Sequence, residues 1–200
     1  MNLNLQKLFS TLYSTEYPRN EDGSSSQQGT AKLRGEIVEL LQQHSVKSIF
    51  DAGCNDCNWM RIISEYVDYK GGDISLAMVA HCWLKQQGLD VILHDITTDP
   101  IPDVDLLFIR DVTIHLNNED KMRVWKNWFS SNVPWILITH NQEVSTNNNS
   151  EYQDQQLLVE LANWERDPWN FPAPKATINE YDANGKCMAL WHRDQFKDIL

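Results

Sequence analysis

Short apolar runs alternate with amphipathic segments along most of this chain. Residues 49–50 and 106–109 are runs of bulky apolar residues, which favour β-strands. Residues 33–41 and 76–87 have apolar positions at helical spacing, and in the second of these Trp83 falls on the inward face. Strands that alternate with helices predict an α/β fold with a mainly parallel sheet.

The first thirty residues divide into a helix and a polar loop. A helical stripe is formed by Leu3, Leu5, Leu8, Phe9, Leu12 and Tyr13. Tyr17-Pro18 ends this helix, and residues 19–29 are polar and rich in small residues, which predicts a flexible loop. Thr30 is a candidate N-cap of the next helix, because its hydroxyl can accept a hydrogen bond from an unpaired backbone N–H.

A sharp turn follows the first strand. Residues 49–50 form that strand, Asp51-Ala-Gly53 turns the chain, and residues 58–65 are predicted to form a helix, which Cys57 begins. Gly53 suits the turn because it can adopt positive φ and has no Cβ. In open α/β sheets such a turn, at the carboxyl end of a strand, is where ligands bind. Only one of the three glycines of a dinucleotide fingerprint is present.

Two further strands are predicted to end near acidic residues. Residues 69–75 form a strand that ends near Asp73, at the spacing from the first turn that this architecture asks for. A carboxylate there can accept two hydrogen bonds from a ribose diol. Residues 89–98 contain a third strand with Asp95 at its end, where the carboxylate can accept from an adenine amino group and the backbone N–H of Ile96 can meet a ring nitrogen. The alternatives are that Asp73 lies in a solvated turn and that Asp95 caps the next turn.

The most apolar run ends in charged residues. Residues 106–109 are typical of a central parallel strand that is buried on both faces. Arg110 and Asp111 follow directly, and His115 comes shortly after. If a helical turn begins after Arg110, Asp111 and His115 lie on one face of it. A packing or capping role for His115 is the alternative.

The C-terminal part of the chain predicts a helix at 118–129, a strand at 133–139 and a short helix at 157–161. Residues 163–174 are Pro-rich and aromatic, which disfavours regular structure. A segment of this kind either lines a substrate pocket or covers the core. Asn184-Gly185 is a strong turn signal, which predicts a final β-hairpin.

Composition and charge narrow the classes of function. The 200 residues, 42% of them hydrophobic, suit one globular domain with a sizeable core. The net charge of −11 argues against nucleic-acid partners, because these are bound by clustered Lys and Arg. The N-terminus has no apolar signal segment, and no apolar run approaches the length of a membrane span. We therefore expect a soluble cytoplasmic protein with a small-molecule ligand and no membrane partner, in an oligomeric state that the sequence leaves open.

The four cysteines predict no metal site. Cys54 and Cys57 form a C-x-x-C, but zinc needs two further ligands at a matching short spacing, and no second pair is present. A thioredoxin-like pair is the alternative. Because these residues straddle the predicted ligand turn, we expect reduced thiols without disulfides.

Two runs carry a resemblance to a known family. Asp51-x-Gly53-Cys54-x-Asp56 resembles motif I, D-x-G-C-G-x-G, of class I S-adenosylmethionine-dependent methyltransferases, with Asn55 and Cys57 in place of two glycines. The wider run Asp51-Ala-Gly-Cys-Asn-Asp-Cys-Asn-Trp-Met60 is close to the D-A-P-C-G-D-F-N-W-M of one branch. Residues 98–116 resemble the T-D-P-L-P…D-L…R-D…H-L of that branch, and residues 167–174 resemble its P-P-F-N-F-P-x-P.

The resemblance implies a fold and a cofactor. The fold is a Rossmann-like α/β sheet of order 3-2-1-4-5-7-6, mostly parallel with a C-terminal antiparallel hairpin and with helices on both faces. Residues 1–29 become an N-terminal helix and a loop that covers the cofactor, S-adenosyl-L-methionine. The cofactor-binding residues that the resemblance implies are Thr30, Asp51, Gly53, Cys54, Asn55, Trp59, Asp73, Ile74, Asp95, Ile96 and Arg110.

The implied reaction is methyl transfer to a small hydroxylated acceptor, such as a sugar. The sulfonium methyl is already activated, so the protein mainly aligns the nucleophile. A hydroxyl nucleophile also needs a general base, for which His115 is the first candidate and Asp111 the second, because histidine accepts a proton near neutral pH. Two alternatives stay open: a catalytically silent S-adenosylmethionine-binding module, and a nicotinamide oxidoreductase on a related sheet.

Overall fold

A computed structural model of the chain describes residues 3–12, 25–86, 88–152, 158–180 and 185–197. The helices in these ranges are α1 (Leu3–Leu12), α2 (Ala31–Gln43), α3 (Met60–Ile63), α4 (Leu76–Lys85) and α5 (Asn118–Ser130). The strands are β1 (Ser48–Ala52), β2 (Asp68–Asp73), β3 (Asp90–Leu93), β4 (Leu106–Ile109), β5 (Trp135–Asn141), β6 (Ala176–Asn179) and β7 (Lys186–His192). Short 3-10 helices span Thr113–His115 and Arg193–Phe196.

The strands form one sheet of order β3-β2-β1-β4-β5-β7-β6. Strands β1 to β5 pair in parallel, and β7 runs antiparallel to both β5 and β6. The predicted strand order and the C-terminal hairpin are confirmed. Gly185 at the hairpin has φ +61°, whereas Asn184 lies outside the described residues.

Apolar layers cover the sheet on both faces. All four residues of β4 are buried, as the apolar run 106–109 predicts. Leu107 and Ile109 pack in the cluster that contains α5, and Leu106 and Phe108 pack in the cluster that contains α2 and α3. The carboxyl ends of the parallel strands are thus held at one edge of a closely packed sheet.

The aromatic segment 163–174 covers the core. The indole rings of Trp164 and Trp125 lie 5.2 Å apart in an edge-to-face arrangement, and Trp164 and Trp169 are both buried. Trp164 Nε1 donates a hydrogen bond to the Thr139 carbonyl at 2.8 Å, which fixes the segment against β5. Of the two roles predicted for this segment, the structure shows the packing role.

Several helical predictions are wrong in detail. The helix expected at 58–65 is the single turn of α3, and residues 158–161 form no helix, while residue 157 lies outside the described residues. Trp83 is 57% exposed, because α4 packs at the edge of the sheet, where Trp83 Nε1 reaches the carbonyl of Val91 in the edge strand β3. In the part of the chain that the structure describes, no helix has the length and apolar character that crossing a membrane requires.

Candidate functional site

The turn after β1, residues 53–57, forms the centre of the site and is called the β1 turn below. Gly53 has φ +85°, as expected, and a Cβ on it would lie 2.2 Å from Val112 Cγ2. The backbone N–H groups of Gly53 and Cys54 both donate to the Gly72 carbonyl, at 2.7 and 3.1 Å. The β1 turn therefore packs closely against β2 through the bonds to Gly72. On its other side Gly53 packs closely against Val112, in the segment that follows β4.

The β1 turn keeps a left-handed backbone at the two positions where motif I has glycines. Asn55 has φ +49° and Cys57 has φ +55°. Asn adopts this region more readily than most residues, whereas at cysteine it is uncommon. The prediction that Cys57 begins a helix is wrong, because its backbone is not helical and α3 begins only at Met60.

Asp73, at the end of β2, holds the β1 turn through its carboxylate. Oδ2 accepts from the backbone N–H of Asn55 at 2.9 Å, and Oδ1 accepts from that of Ser75 at 2.8 Å. Burial raises the pKa of Asp73 to about 6. A carboxylate has about four lone-pair positions, so these two bonds leave acceptor capacity for a ligand. Ile74, the next residue, is partly buried.

Arg110 lies at the end of β4 in a buried cluster of charges. Its guanidinium donates to the Glu180 carboxylate, with Nη2 to Oε2 at 2.6 Å, and Nη1 donates to Ser25 Oγ at 3.0 Å. Nη1 also lies 3.3 Å from Asp111 Oδ2, and the guanidinium carbon lies 5.5 Å from the centre of the Trp59 ring. The predicted residues Trp59, Arg110 and Asp111 therefore meet at one point.

Lys186 completes this cluster from β7. Its Nζ lies 2.7 Å from Asp111 Oδ2 and 3.5 Å from Glu180 Oε2. Sequence reasoning missed both Lys186 and Glu180, since neither belongs to a motif and both reach the site from the C-terminal hairpin. In the sequence, the charges of Lys186 and Glu180 contribute to the net charge of the protein but do not indicate a site.

His115 ends the short 3-10 helix beyond β4. Its Nδ1 lies 2.8 Å from the Leu158 carbonyl oxygen. Burial lowers the pKa of His115, while the Asp111 carboxylate acts in the opposite direction. The predicted helical face shared by Asp111 and His115 is not formed, because Asp111 has φ +58° and the 3-10 helix begins after it, at Thr113.

No family model matches the sequence, and no curated protein matches it. Several solved structures are similar to this chain in fold. The magnesium protoporphyrin IX methyltransferase ChlM from Synechocystis PCC 6803, with bound S-adenosylmethionine, gives a TM-score of 0.61 at 14% identity over 94% of both chains. The PH0226 protein from Pyrococcus horikoshii OT3 gives 0.60 at 12% identity over 94% of this chain and 98% of its own. A second ChlM structure, with bound SAH, gives 0.55 at 16% identity over 72% of this chain and 74% of its own.

The chain has the class I methyltransferase fold. In this methyltransferase fold the β1 turn, Asp73 and Arg110 all lie where strands β1, β2 and β4 end. The sequence resemblance is confirmed for the fold, including the order of the strands.

The loop before α2 packs beside the β1 turn of the methyltransferase fold. Gln27 Nε2 donates to the backbone carbonyl of Asn58 at 3.2 Å, and Ser25 binds Arg110. Thr30 occupies the N-cap position of α2 as predicted, but its hydroxyl accepts no hydrogen bond from a backbone N–H of the helix. Its hydroxyl donates to the Ser26 carbonyl at 2.7 Å and accepts from Arg34 at 2.7 Å, so it fastens the loop instead. Residues 13–24, including the start of the predicted covering loop, lie outside the described residues.

Two further predicted acids have hydrogen-bond partners within the protein. Asp51 is buried beneath the β1 turn, where it accepts from the Tyr69 hydroxyl at 2.8 Å. Burial raises the pKa of Asp51 well above its usual value. Asp95 Oδ1 accepts hydrogen bonds from the backbone N–H and from the hydroxyl of Thr97, at 3.0 and 2.7 Å. These bonds are those of the turn-capping role that was the alternative for Asp95. Ile96, beside it, is buried in the core.

A buried amide lies on the same face of the sheet as the charge cluster. Asn141 ends β5, pairs with Lys186 of β7 and is 1% exposed. Two residues earlier on that face, Thr139 Oγ1 accepts from the backbone N–H of Asp111 at 2.8 Å. In the part of the chain that the structure describes, neither Oδ1 nor Nδ2 of Asn141 has a hydrogen-bond partner. Buried polar groups without partners are rare and often mark function.

Proposed function

We propose that this protein is an S-adenosyl-L-methionine-dependent methyltransferase whose acceptor is a small hydroxylated molecule, such as a sugar. The observation that carries the proposal is the β1 turn. Its left-handed backbone survives at Asn55 and Cys57, and Asp73 anchors it at 2.9 Å. Both residues that stand where motif I has glycines thus have the positive φ that glycine readily adopts, which supports a turn able to approach a ligand. The similarity to ChlM, solved with bound S-adenosylmethionine, supports the same cofactor.

The residues around the β1 turn fit the parts of this cofactor. Asp73 has the acceptor capacity for a ribose diol. Arg110 is the proposed cation for the amino-acid carboxylate, which would compete with Glu180 for the guanidinium, since Glu180 lies at 2.6 Å. The peptide segment at Asp95 and Ile96 is the candidate for the adenine edge. When bound, the cofactor supplies an activated methyl group.

On the acceptor side, His115 is the proposed general base and Asn141 a proposed positioning residue. The Leu158 carbonyl can only accept a hydrogen bond, so His115 Nδ1 carries the proton and Nε2 carries the lone pair. The Asn141 amide offers one donor and one acceptor group, which suits a hydroxyl, since a hydroxyl both donates and accepts. The net charge of −11 fits an acceptor without negative charge.

Cofactor binding should weaken as the pH falls below about 6, the pKa of Asp73 in the protein without ligand. A ribose diol donates to the carboxylate form, so below that pKa binding must first expel a proton, and Kd should rise up to about tenfold per pH unit. Isothermal titration between pH 5 and 8 measures this. In Asp73→Asn the dependence should disappear and affinity should fall by about 1–3 kcal/mol.

A thermal melt of both proteins is the control for the Asp73 titration. Because the folded pKa of Asp73 is raised, its contribution to stability is full below its unfolded pKa and is lost as the pH rises through about 6. Stability and affinity thus move in opposite directions with pH. An affinity that is equal in the two proteins at pH 7.5 would refute the ribose assignment.

Asn141→Leu should raise KM for the acceptor without lowering thermal stability. The substitution keeps the branching of the side chain at Cγ and removes a buried amide that has no hydrogen-bond partner among the described residues, and burial of such a group costs about 1–3 kcal/mol. Steady-state kinetics and a thermal melt on the same preparation test this. If the variant melts earlier and KM is unchanged, Asn141 is a structural residue.

The activity itself is tested by titration with cofactor and by radiolabelled methyl transfer to a panel of sugars and other hydroxylated metabolites. A mass spectrum of the purified protein would also reveal a copurifying nucleoside. Binding together with methyl transfer is the expected result. Binding without transfer across the panel would indicate the silent cofactor-binding module, and the absence of binding would refute the proposal.

A further inference from the structure

Three thiols converge beneath the β1 turn. Cys54 and Cys57 belong to the turn, and Cys82 comes from α4. The Sγ atoms of Cys82 and Cys57 lie 3.2 Å apart. All three cysteines are buried and pack with Val79 and Val91 in a small cluster of their own. The C-x-x-C motif gave no sign of this arrangement, because the third thiol lies 25 residues further along the chain than Cys57.

We propose that Cys57 and Cys82 form a reversible disulfide that ties the β1 turn to α4 and weakens cofactor binding. A disulfide has a sulfur–sulfur distance of about 2.05 Å, so the two sulfur atoms must approach each other by only about an ångström. The sulfur–sulfur distance of 3.2 Å makes Cys82 the proposed partner of Cys57, and a C-x-x-C disulfide between Cys54 and Cys57 is the competing product.

The oxidant that we consider is a peroxide. Hydrogen bonds from Cys54 and then Cys57 lower the pKa of Cys82 to about 5, so Cys82 supplies the thiolate. Its sulfur attacks hydrogen peroxide: an S–O bond forms, the O–O bond breaks, and hydroxide leaves and becomes water. The Cys57 sulfur then attacks the resulting sulfenic acid, an S–S bond forms, and the oxygen leaves as a second water with the Cys57 proton. The two thiols lose two electrons and the peroxide gains them.

The disulfide would act on the cofactor site through Asn55. The Cys82 sulfur lies 3.1 Å from the Asn55 carbonyl oxygen, and the N–H of Asn55 donates to Asp73 at 2.9 Å. Oxidation would draw Cys57 toward α4 and so displace the β1 turn from Asp73. This effect rests on the proposed function, whereas formation of the disulfide does not.

Disulfide formation is tested on the full-length protein with hydrogen peroxide. After treatment, remaining thiols are alkylated, and the protein is digested with trypsin and examined by mass spectrometry. The expected product joins the peptides 48–61 and 71–85 and is released by dithiothreitol, and because peptide 48–61 contains both Cys54 and Cys57, its fragment ions must place the bond on Cys57. Cys82→Ser should abolish the cross-link, and Cys187→Ala, a change in β7 outside the thiol cluster, should retain it. A cross-link from Cys54 to either Cys57 or Cys82, or oxidation without any cross-link, would overturn the proposal.

The regulatory effect is measured by titrating S-adenosyl-L-methionine into reduced and oxidised protein. Oxidation should raise Kd by about tenfold, the equivalent of one hydrogen bond to a charged group. In Cys82→Ser, peroxide should leave Kd unchanged. A cross-linked protein with unaltered Kd contradicts the effect on binding. If the reduced protein binds no cofactor, the proposed function fails, and the mass spectrum alone still decides whether the disulfide forms.

Discussion

Replacing His115 by alanine is expected to lower turnover by about 10²-fold and to leave cofactor affinity near that of the wild type. The Leu158 carbonyl at 2.8 Å orients the ring, and burial lowers the pKa of His115, so the imidazole is neutral and basic at pH 7. Protonation of His115 should also give kcat/KM an acid limb below 6.5, the usual histidine pKa. Turnover per folded molecule and a cofactor titration are the measurements.

Asp111→Asn is the matched comparison for His115→Ala. Asn tolerates the left-handed backbone that Asp111 adopts, at φ +58°, so the fold should be preserved. The Asp111 carboxylate lies 2.7 Å from Lys186 and 3.3 Å from Arg110, so its oxygens are already engaged and are less available to an acceptor hydroxyl. Its loss should therefore cost less turnover than the loss of His115. If His115→Ala melts early but is fully active per folded molecule, Asp111 becomes the candidate base.

Gly53→Ala is expected to destabilise the protein by about 2–5 kcal/mol and to weaken cofactor binding strongly. The new Cβ would lie 2.2 Å from Val112 Cγ2, at a residue whose φ is +85°. The β1 turn and the segment that leads to His115 would have to move apart. Chemical denaturation gives the free energy of unfolding, and titration gives Kd.

Gly88→Ala separates the clash from the backbone strain. Gly88 has φ +92°, close to that of Gly53, but a Cβ on it meets nothing within 4 Å. It should therefore cost only the left-handed penalty, about 1–2 kcal/mol, and should leave Kd unchanged. If Gly53→Ala behaves like Gly88→Ala in both measurements, the β1 turn does not form the cofactor site.

The parts of the fold that the sequence predicted are those with a local signal. The run 106–109 is apolar at every position and forms β4 with those bounds. Gly53 and Asp73 lie at the ends of β1 and β2, because strand ends and turns have their own residue preferences. Such features depend on a few neighbours along the chain.

The predictions that were wrong depended on contacts made at a distance. Thr30 has the right residue type for an N-cap, but its hydroxyl binds Ser26 and Arg34. Trp83 has helical spacing with buried residues, but its helix lies at an edge of the sheet. Glu180 has no local pattern, and the helical spacing of Cys82 predicts its burial but not its neighbour, so only the folded chain brings these residues to Arg110 and Cys57.

The position of β7 has a consequence for how this protein is synthesised. Glu180 and Lys186 lie 70 and 75 residues beyond their partners Arg110 and Asp111, and they emerge from the ribosome long after β4. Until then Arg110 and Asp111 have each other but lack Glu180 and Lys186, the partners that lie at 2.6 and 2.7 Å in the folded protein, which disfavours early closure of that end of the sheet. Insertion of β7 between β5 and β6 is therefore the step that completes the site during biosynthesis. Ribosome-stalled chains that stop before residue 180 should expose Arg110 to solvent.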